Sequence, residues 1–510
     1  MEQLSWLYFL KRGPASQPLS SLSCDDNTCR KYIFPLLDLV SLNLIRSMIE
    51  LRGSPTQACC DGLTRRAMLR IGGLAPFGLS LPSLLASKKT GQSSRTFGKA
   101  KRCLLLYMWG GPSHIDLFDM KPDAPSELRG PFNPVRTQTP GIRISELMPK
   151  LGGVTDKIGF IRSVTHTENN HSTGAHWMLT GHKHPESREN FGARPSDYPH
   201  VGSILSKFSP TTNGLPTFVA LPEVIGTTAG FVTPGQNAGF LGRRYDPFVL
   251  NRHPDEPDFQ VPNMSPVEGL DRTRLRNRVK LTEQFDDLRR TLISTLDVSD
   301  LNAVNQLAYD LLTSPKVADA FDLADEGEAE RERYGMRTFG QSVLLARRLL
   351  ESGVKLVTVY WHRDKPGVDT TWDTHKENFK GLKDRLVPQV DQPIAHLLND
   401  LEGRGMLEDT LVVWNSEFGR TPKVNKNAGR DHWGRCNTIW MAGAGVPGGQ
   451  MYGKSDKIAS EPVEDPVSPS DVTATIYHLL GLDPHSHFHD SLGRPFPLSE
   501  GQVLKKFLGA

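Results

Sequence analysis

The chain has 510 residues, of which 37% are hydrophobic and 23% are charged, and this is the composition of an ordinary globular protein. Its formal net charge is only +3 at pH 7. This near-neutral balance gives no electrostatic reason to expect nucleic acid or an anionic membrane as a partner. The length allows more than one domain, although a large α/β fold can also form a single domain.

A pair of arginines near the start of the chain carries an export pattern. Arg65 and Arg66 lie in the string TRRAMLR, and a mild apolar run follows from Ile71 to Ala86. A charged region, a short apolar run and small residues are typical of a twin-arginine signal, whereas the alternative is the start of an amphipathic helix. The run is too short and too rich in glycine and proline for a stable membrane span. The pattern predicts a periplasmic or extracellular protein that meets the twin-arginine translocon during export.

This export pattern sets the predicted organisation of the whole chain. Met48 is a candidate for the true first residue of the protein, because residues 1–47 place the two arginines unusually far from the N-terminus for a signal peptide. The predicted segments are an upstream extension at 1–47, a twin-arginine signal region at 48–86, a polar linker at 87–101, and one α/β domain at 102–510 with an insertion at 222–336.

Short apolar runs alternate with segments of helical periodicity beyond the linker. The predicted strands are Cys103–Trp109, Ile158–Val164, Thr217–Leu221, Val354–Tyr360, Leu411–Trp414 and Asn437–Met441. The predicted helices are Ser145–Leu151, Val201–Phe208, Phe339–Leu350, Val390–Leu401 and one that begins at the capping box Ser468–Asp471. The alternation predicts a doubly wound, mostly parallel sheet with helices on both faces. Cys103 and Cys436 fall in core segments and are predicted to be buried thiols.

Two stretches are predicted to lie outside this alternating core. Pro222 to about Pro266 is rich in glycine, proline and asparagine, and this composition predicts a long ordered loop region over the active face. The charged amphipathic pattern of Leu270–Leu296, together with Leu301–Tyr334, predicts a peripheral helical insertion.

Side chains able to bind a metal follow several of the predicted strands. His114 and Asp116 come after the first strand and its Gly110–Gly111 pair, and Asp373 and His375 follow Val354–Tyr360. Because ligands bind at the carboxyl ends of strands in α/β sheets, these side chains are expected to meet at one edge. An alternative for His114 and Asp116 is that they cap a turn.

The stretch from Thr410 to Trp433 adds further ligand types beyond the strand Leu411–Trp414. It contains Glu417, Asp431 and His432. We expect these side chains to converge with Asp373 and His375, with His171 and His114 at or near the same pocket. An alternative is that Glu417 and Asp431 form ion pairs with Arg420 and Arg430.

Five of the 16 histidines fall within one short stretch after the second strand. They are His166, His171, His176, His182 and His184. Neutral imidazole is the commonest metal ligand and also carries protons. The spacing of five between His171 and His176 does not match the i, i+4 pair of a helical zinc motif.

Several strings resemble the alkaline phosphatase and sulfatase superfamily over most of Arg102 to Leu482. These are ELMPKLGGVTDKIGFIRSV, HSTGAHWMLTGH, TLVVWNSEFG and SPSDVTATIYHLLGL. Within the superfamily, the strings WGGPSHIDLFDMKP, WDTHKENF, SEFGRTP and GRDHW resemble a twin-arginine-exported family of domains of unknown function, number fifteen-oh-one. The resemblance implies an alkaline-phosphatase-like α/β fold, a divalent metal ion and an ester substrate.

The chain also departs from the superfamily pattern. Gly110 and Gly111 stand where relatives carry metal-binding aspartates, and Glu417–Phe418 replaces an Asp-His pair. The nucleophile position falls on His171, which is flanked by Ser172 and Thr173, so these are the candidate catalytic residues. The candidate metal ligands are Asp373, His375, Glu417, Asp431, His432, His114 and Asp116. This mixed set suits Zn, Mn, Fe or Ca without naming one.

Two functions fit these residues. The first is an exported metal-dependent hydrolase of a phosphate or sulfate ester, in which Arg420 and Arg430 bind the anionic group. The second is a catalytically degenerate binding protein for sulfated or phosphorylated glycans, which the missing first-strand aspartates favour. A third alternative is that the histidines hold a metal for different chemistry.

Overall fold

A mostly parallel sheet organises the part of the chain that the structure describes. The computed structural model describes residues 95–186, 191–227, 229–259, 261, 315–362, 371–490 and 492–510. Internal contacts divide the chain into Met1–Ser93 and Ser94–Ala510. All of the described residues belong to the second unit, so the predicted extension and signal region lie outside them.

Sixteen strands are described, and eight of them form the main sheet in the order β12-β4-β11-β8-β1-β7-β5-β6. In chain order they are β1 Arg102–Tyr107, β2 Pro134–Arg136, β3 Arg143–Ser145, β4 Ile158–Val164, β5 Phe218–Leu221, β6 Phe248–Val249, β7 Leu356–Tyr360, β8 Thr410–Asn415, β9 Gly419–Arg420, β10 His432–Trp433, β11 Asn437–Ala442, β12 Gln450–Tyr452, β13 Lys454–Ser455, β14 Pro462–Glu464, β15 His487–His489 and β16 Pro495–Pro497.

The register of the central strands brings three chain segments to one edge of the sheet. Strand β1 pairs in parallel with both β7 and β8, so that Tyr107 lies level with Tyr360 and with Asn415. The segments that follow these three strands therefore leave the sheet side by side. Among the described strands of the main sheet, only β11 runs antiparallel, against β4 and β8. The sheet confirms the predicted doubly wound, mostly parallel α/β class.

The helices lie between the strands in sequence. The α-helices are α1 His114–Leu117, α2 Ser126–Arg129, α3 Pro149–Gly152, α4 His171–Thr180, α5 Val201–Phe208, α6 Pro315–Phe321, α7 Glu328–Tyr334, α8 Thr338–Ser352, α9 Asn378–Gly381, α10 Asp391–Gly403 and α11 Pro469–Leu479. Short 3-10 helices span Thr155–Lys157, Gly239–Leu241, Arg243–Tyr245, Val387–Gln389 and Leu407–Asp409, and one π-helix spans Leu382–Leu386. Among the helices of the described residues, none combines the length and hydropathy needed to cross a membrane.

The central strands are mostly apolar, as expected for a sheet with both faces covered. All six residues of β8 are buried, and every residue of β1 after Arg102 is buried as well. Helix α8 packs against β7 and β1, whereas α4 packs against α11. The Ser468 capping box that starts α11 forms as predicted, and Cys103 and Cys436 are buried free thiols as predicted.

Several elements differ from the sequence-based predictions. The segment predicted as helix Ser145–Leu151 begins as strand β3, and the helix starts only at Pro149, a residue suited to the first helical turn. The edge strands β6 and β12 were not predicted, since they are short and only half-buried.

A further difference concerns the insertion predicted to be peripheral. Its described part is helical, but Val317, Phe321 and Tyr334 are buried in the main core. The predicted helix Leu270–Leu296 lies outside the described residues.

We predict that His200 makes the fold sensitive to acid. His200 caps α5 by accepting a hydrogen bond from the Gly202 N–H at 2.8 Å, and burial lowers its pKa from 6.5 to about 3. Its neutral form therefore stabilises the fold fully above pH 6.5, and this stability is lost as the pH falls toward 3. Between pH 7 and pH 5 the loss should reach roughly 2 kcal/mol in urea unfolding.

The matched variant is His200→Asn, which keeps a capping side chain that does not titrate. Its free energy of unfolding should fall less than that of the wild type over the same pH range. Parallel pH dependences of the two proteins would contradict the assignment.

Candidate metal centre

Two glycines at the end of β1 allow three loops to meet. Gly110 and Gly111 have φ values of 109° and 73°, a region that favours glycine. A Cβ atom on Gly110 would lie 2.3 Å from the Asp373 backbone nitrogen, and one on Gly111 would lie 2.7 Å from the Phe418 ring. Gly110 and Gly111 therefore let the loops after β1, β7 and β8 approach closely.

His171 enters the same region from the first turn of α4. The Asn170 side chain caps this helix by accepting hydrogen bonds from the Ser172 N–H at 2.8 Å and the Thr173 N–H at 3.4 Å. The centroid of the His171 ring lies 4.9 Å from the ring centroids of both Trp109 and Phe418. Cap and ring contacts together fix the position of the imidazole.

Three histidines are oriented in the same way. His171 Nδ1 lies 2.6 Å from Glu417 Oε1, His375 Nδ1 lies 2.7 Å from Asp431 Oδ1, and His432 Nδ1 lies 2.8 Å from the Asn169 carbonyl oxygen. Carboxylate and carbonyl oxygens only accept hydrogen bonds, so each Nδ1 carries the proton and donates it. In a neutral imidazole the other nitrogen, Nε2, then has a free lone pair.

All three Nε2 atoms point at the Asp373 carboxylate. His171 Nε2 lies 3.2 Å from Oδ2, while His375 Nε2 and His432 Nε2 lie 3.2 Å and 3.0 Å from Oδ1. The Nε2 atoms of His375 and His432 are only 2.9 Å apart. In the described residues, ligand atoms of His171, Asp373 and His432 all lie within 4.8 Å of one another.

Histidines that bind a metal through one nitrogen usually donate the other N–H to a carboxylate or carbonyl. Three imidazole nitrogens and one carboxylate oxygen are donor types that suit zinc. His171, Asp373 and His432 therefore form a candidate site for one divalent metal ion. His375, whose Nε2 approaches Asp373 and His432, is a fourth candidate donor, and together these residues are called the four-residue cluster below.

The charges of the cluster are strongly coupled. Burial opposes ionisation of His171, but hydrogen bonds to Asp373 and Glu417 raise its pKa to about 9. Hydrogen bonding to Asp373 likewise raises the pKa of His375, whereas burial lowers that of His432. Burial would raise the pKa of Asp373, yet the Arg420 charge and the three imidazoles hold it far below its usual range.

Arg420 is fully buried and holds Asp373 in place. Its Nη2 donates to Asp373 Oδ1 at 2.6 Å and also to the Gly110 carbonyl, and its Nε donates to the Gly111 carbonyl at 2.8 Å. A further N–H donates to the Arg430 carbonyl at 3.0 Å. These partners favour a positioning role for Arg420, and its predicted contact with substrate stays a prediction.

A second buried arginine pairs with Asp116 away from the cluster. Arg430 Nε and Nη2 donate to the two Asp116 carboxylate oxygens at 2.7 Å and 2.8 Å. Asp116 also accepts from Ser113 Oγ at 2.6 Å and from Asn378 Nδ2 at 2.8 Å. Asp116 was predicted to be a metal ligand, but these four bonds give it a structural place between loops.

His114, also predicted as a ligand, uses both ring nitrogens in structural contacts. Its Nε2 lies 2.9 Å from the Ala459 carbonyl and its Nδ1 accepts from the Arg420 N–H at 3.3 Å. Burial lowers its pKa, which keeps the ring neutral. The ring supports the turn at Gly419, where a Cβ would lie 2.4 Å from His114 Nδ1.

The two hydroxyl residues predicted to be catalytic are buried beside His171. Thr173 Oγ1 donates to Glu168 Oε2 at 2.8 Å. Ser172 is 1% exposed, and its Oγ has no hydrogen-bond partner among the described residues. Of the three predicted catalytic residues, only His171 is shown to face Asp373.

The structure brings Asp373, His375, Asp431 and His432 together, and His171, which was also expected near this pocket, faces Asp373 as a further nitrogen donor. Glu417 and Asp431 meet the Nδ1 side of their histidines, so both support the cluster from behind. Sequence patterns missed the Asn169 carbonyl, because a backbone group leaves no residue-type signal. The sequence also left open whether Glu417 and Asp431 form ion pairs with Arg420 and Arg430. In the structure, Arg420 pairs with Asp373 and Arg430 pairs with Asp116.

Fold and site together define an α/β protein with a histidine-rich candidate metal centre. Residues 100–508 match the family model described as "Protein of unknown function (DUF1501)", and the chain belongs to this family. No curated protein matches the chain in sequence.

Solved structures similar to the chain include three at 12% sequence identity. A sulfatase from Pseudoalteromonas sp. has a TM-score of 0.34, with 79% of this chain and 70% of that chain covered. A phosphonate monoester hydrolase from Silicibacter pomeroyi has a TM-score of 0.36, with 80% and 76% covered. A lipoteichoic acid synthase from Listeria monocytogenes has a TM-score of 0.33, with 77% and 75% covered.

Replacing Gly110 by alanine tests the close approach of the loops. We expect Gly110→Ala to lower the free energy of unfolding by more than the ~1–3 kcal/mol of backbone strain alone, because its Cβ would collide with the Asp373 backbone. The control is Gly141→Ala, whose glycine has a φ of 87° and no heavy atom within 4 Å of the place that a Cβ would occupy. Equal losses in denaturant unfolding would contradict the claim that contact with Asp373 requires glycine.

Proposed function

We propose that the chain is an exported metal-dependent hydrolase of a phosphate or sulfate ester, with one divalent ion held by the four-residue cluster. The observation that carries the proposal is the shared orientation of three imidazoles. Each Nδ1–H is anchored to an oxygen, and each Nε2 faces the Asp373 carboxylate. Without a cation or an extra proton, lone pairs would face one another at 2.9–3.2 Å, which is unfavourable.

The donor set favours some metals over others. Imidazole nitrogens suit zinc, iron and related transition metals, whereas calcium prefers a shell made only of oxygen atoms. Three nitrogens in the four-residue cluster therefore favour Zn, Mn or Fe over Ca among the metals expected from the sequence.

Solvent access supports catalysis over a purely structural metal. The side chain of His375 is 41% exposed, and those of His171, Asp373 and His432 are 20%, 17% and 17% exposed. The four protein donors would fill a tetrahedral zinc site, so catalysis would require water or substrate to enter as a fifth ligand, an expansion that catalytic zinc sites undergo in the transition state. An ester could therefore reach the cluster from the His375 side.

The residues of the chain have distinct parts in this proposal. A bound divalent metal would polarise an ester oxygen and lower the pKa of an attacking water. Asp373 and the three histidines hold the ion, while Arg420 fixes Asp373 and offsets its charge. The buried hydroxyls of Ser172 and Thr173 favour water over a side chain as the nucleophile.

The burial of the Ser172 and Thr173 hydroxyls also favours a second candidate function. A binding protein for sulfated or phosphorylated glycans needs a cation to hold the anionic group but no nucleophile. The hydroxyls of Ser172 and Thr173 belong to residues that are 1% and 0% exposed, so neither is presented to an ester in this conformation. Turnover separates the two functions, because a binder retains the metal without cleaving an ester.

The test combines metal content with hydrolysis. Full-length protein loaded with Zn²⁺, Mn²⁺ or Fe²⁺ should hold one equivalent and cleave p-nitrophenyl phosphate, p-nitrophenyl sulfate or a phosphonate monoester. His432→Ala removes a donor and should weaken metal binding by more than the roughly 10–100-fold caused by loss of a supporting partner. Its hydrolysis rate should fall in parallel.

The matched control is His485→Ala, which removes an exposed histidine outside the cluster. It should keep both the metal and the rate. One bound metal without cleavage of any ester would favour the binding protein, and no bound metal at all would refute the metal centre.

Export through the twin-arginine route is a separate part of the proposal. The pattern around Arg65 and Arg66 supports it, and these residues lie outside the described part of the chain. Changing both arginines to lysine should leave the precursor in the cytoplasm of an expressing bacterium, as seen by fractionation. Unchanged export of the double variant would remove the claim of a periplasmic or extracellular location.

A further inference from the structure

Glu417 lies behind the candidate metal centre and is completely buried. It follows strand β8, and its side chain is 0% exposed. Its Oε1 accepts two hydrogen bonds, one from the Gly110 N–H at 2.7 Å and one from His171 Nδ1 at 2.6 Å. The sequence predicted Glu417 to be a ligand, yet its contact is with the side of His171 opposite to Asp373.

We infer that Glu417 is a positioning residue for the proposed metal site, which locks His171 in the form that presents Nε2. This inference rests on the proposed metal centre. Since a carboxylate oxygen can only accept, its contact with Nδ1 keeps the proton there and leaves Nε2 for the metal. A hydrogen-bonded carboxylate also makes the imidazole a more basic ligand.

The position of the carboxylate is set by the backbone of the sheet. The Gly110 N–H comes from the end of β1, and Glu417 comes from the end of the neighbouring strand β8. The bond between them joins two adjacent strand ends, so the carboxylate has little freedom to move. The Glu417 carboxylate therefore holds the His171 ring in one orientation, and the contacts of that ring with Trp109 and Phe418 stabilise the same orientation.

The surroundings of the other carboxylate oxygen point the same way. The Tyr107 hydroxyl is buried beside the Glu417 carboxylate, whose Oε2 is also buried. Burial and the adjacent Glu417 charge raise the pKa of Tyr107, so the tyrosine stays neutral. A buried carboxylate is costly without a countercharge. Among the described residues, His171 is the one charge-bearing group shown to contact Glu417. A cation bound at His171 Nε2 would therefore offset the Glu417 charge through the imidazole ring.

Two substitutions of Glu417 distinguish a positioning residue from a direct metal ligand. In Glu417→Gln the amide oxygen can still accept from Gly110 and His171, so the orientation of the ring is kept. In Glu417→Ala both hydrogen bonds are lost. A direct ligand would be impaired in both variants, because a neutral amide is a poor substitute for a metal-bound carboxylate.

The experiment is a competition titration of the full-length protein with Zn²⁺. Glu417→Ala should bind zinc roughly 10–100-fold more weakly than the wild type, and Glu417→Gln should lose less than about 10-fold. The control is Asp391→Asn, which alters another buried carboxylate that accepts two backbone hydrogen bonds, from Lys150 and Leu151. Asp391→Asn should leave zinc affinity unchanged even where it lowers stability.

An NMR measurement tests the same claim without metal. The His171 Nδ1 proton should give a downfield signal protected from solvent exchange in the wild type and in Glu417→Gln. The signal should be lost in Glu417→Ala, and should Glu417→Ala fail to fold, the Gln variant still decides. Loss of zinc binding in Glu417→Gln as severe as in His432→Ala, or no protected Nδ1 proton in the wild type, would overturn the inference.

The two measurements also separate this inference from the proposed function. If the wild type binds no zinc, the metal centre fails. A protected His171 Nδ1 proton that persists in Glu417→Gln and vanishes in Glu417→Ala would then still support the positioning role.

Discussion

The negative charge of Asp373 is the constraint on which the site depends. Its side chain is only 17% exposed, and a carboxylate removed from water needs compensating charges and donors. Arg420 provides one, and the same guanidinium group binds the Gly110, Gly111 and Trp372 carbonyls. The loop after β7 and the turn after β1 are therefore fixed by the same buried cation, so the fold of the sheet edge and the geometry of the cluster cannot be separated.

The imidazoles complete this arrangement around the Asp373 carboxylate. Each is held at Nδ1 by an oxygen from a different segment: Glu417 after β8, Asp431 before β10, and the Asn169 carbonyl before α4. Because the anchors are dispersed, the three Nε2 atoms reach Asp373 only when all of these segments are folded. The cluster therefore forms only in the folded chain, as expected for a metal site whose ligands come from distant segments.

Much of the fold could be predicted from the sequence because the core strands are short, continuous apolar runs. Ile158–Val164 and Val201–Phe208 have the same bounds in prediction and structure. The parallel architecture then predicted that Asp373, His375, Asp431 and His432 would meet. Periodicity could not reveal the antiparallel direction of β11 or the short strand Arg143–Ser145, since both depend on which strand lies alongside.

The roles within the site were harder to predict than its location. Residue type marks His114, Asp116 and Glu417 equally as ligands, but only the three-dimensional contacts show two of them in structural bonds and the third behind His171. The orientation of each ring is set by its partner at Nδ1, and one such partner is a backbone carbonyl that no motif records.

X-ray absorption spectroscopy of the zinc-loaded, full-length protein tests the central claim most directly. We expect a four-coordinate ion with three nitrogen donors at ~2.0–2.1 Å and one oxygen donor at ~2.0–2.2 Å, with imidazole scattering beyond the first shell. In His432→Ala one imidazole should disappear from the spectrum, whereas His485→Ala should match the wild type. A first shell made only of oxygen atoms, or a spectrum that His432→Ala leaves unchanged, would contradict the proposed metal centre.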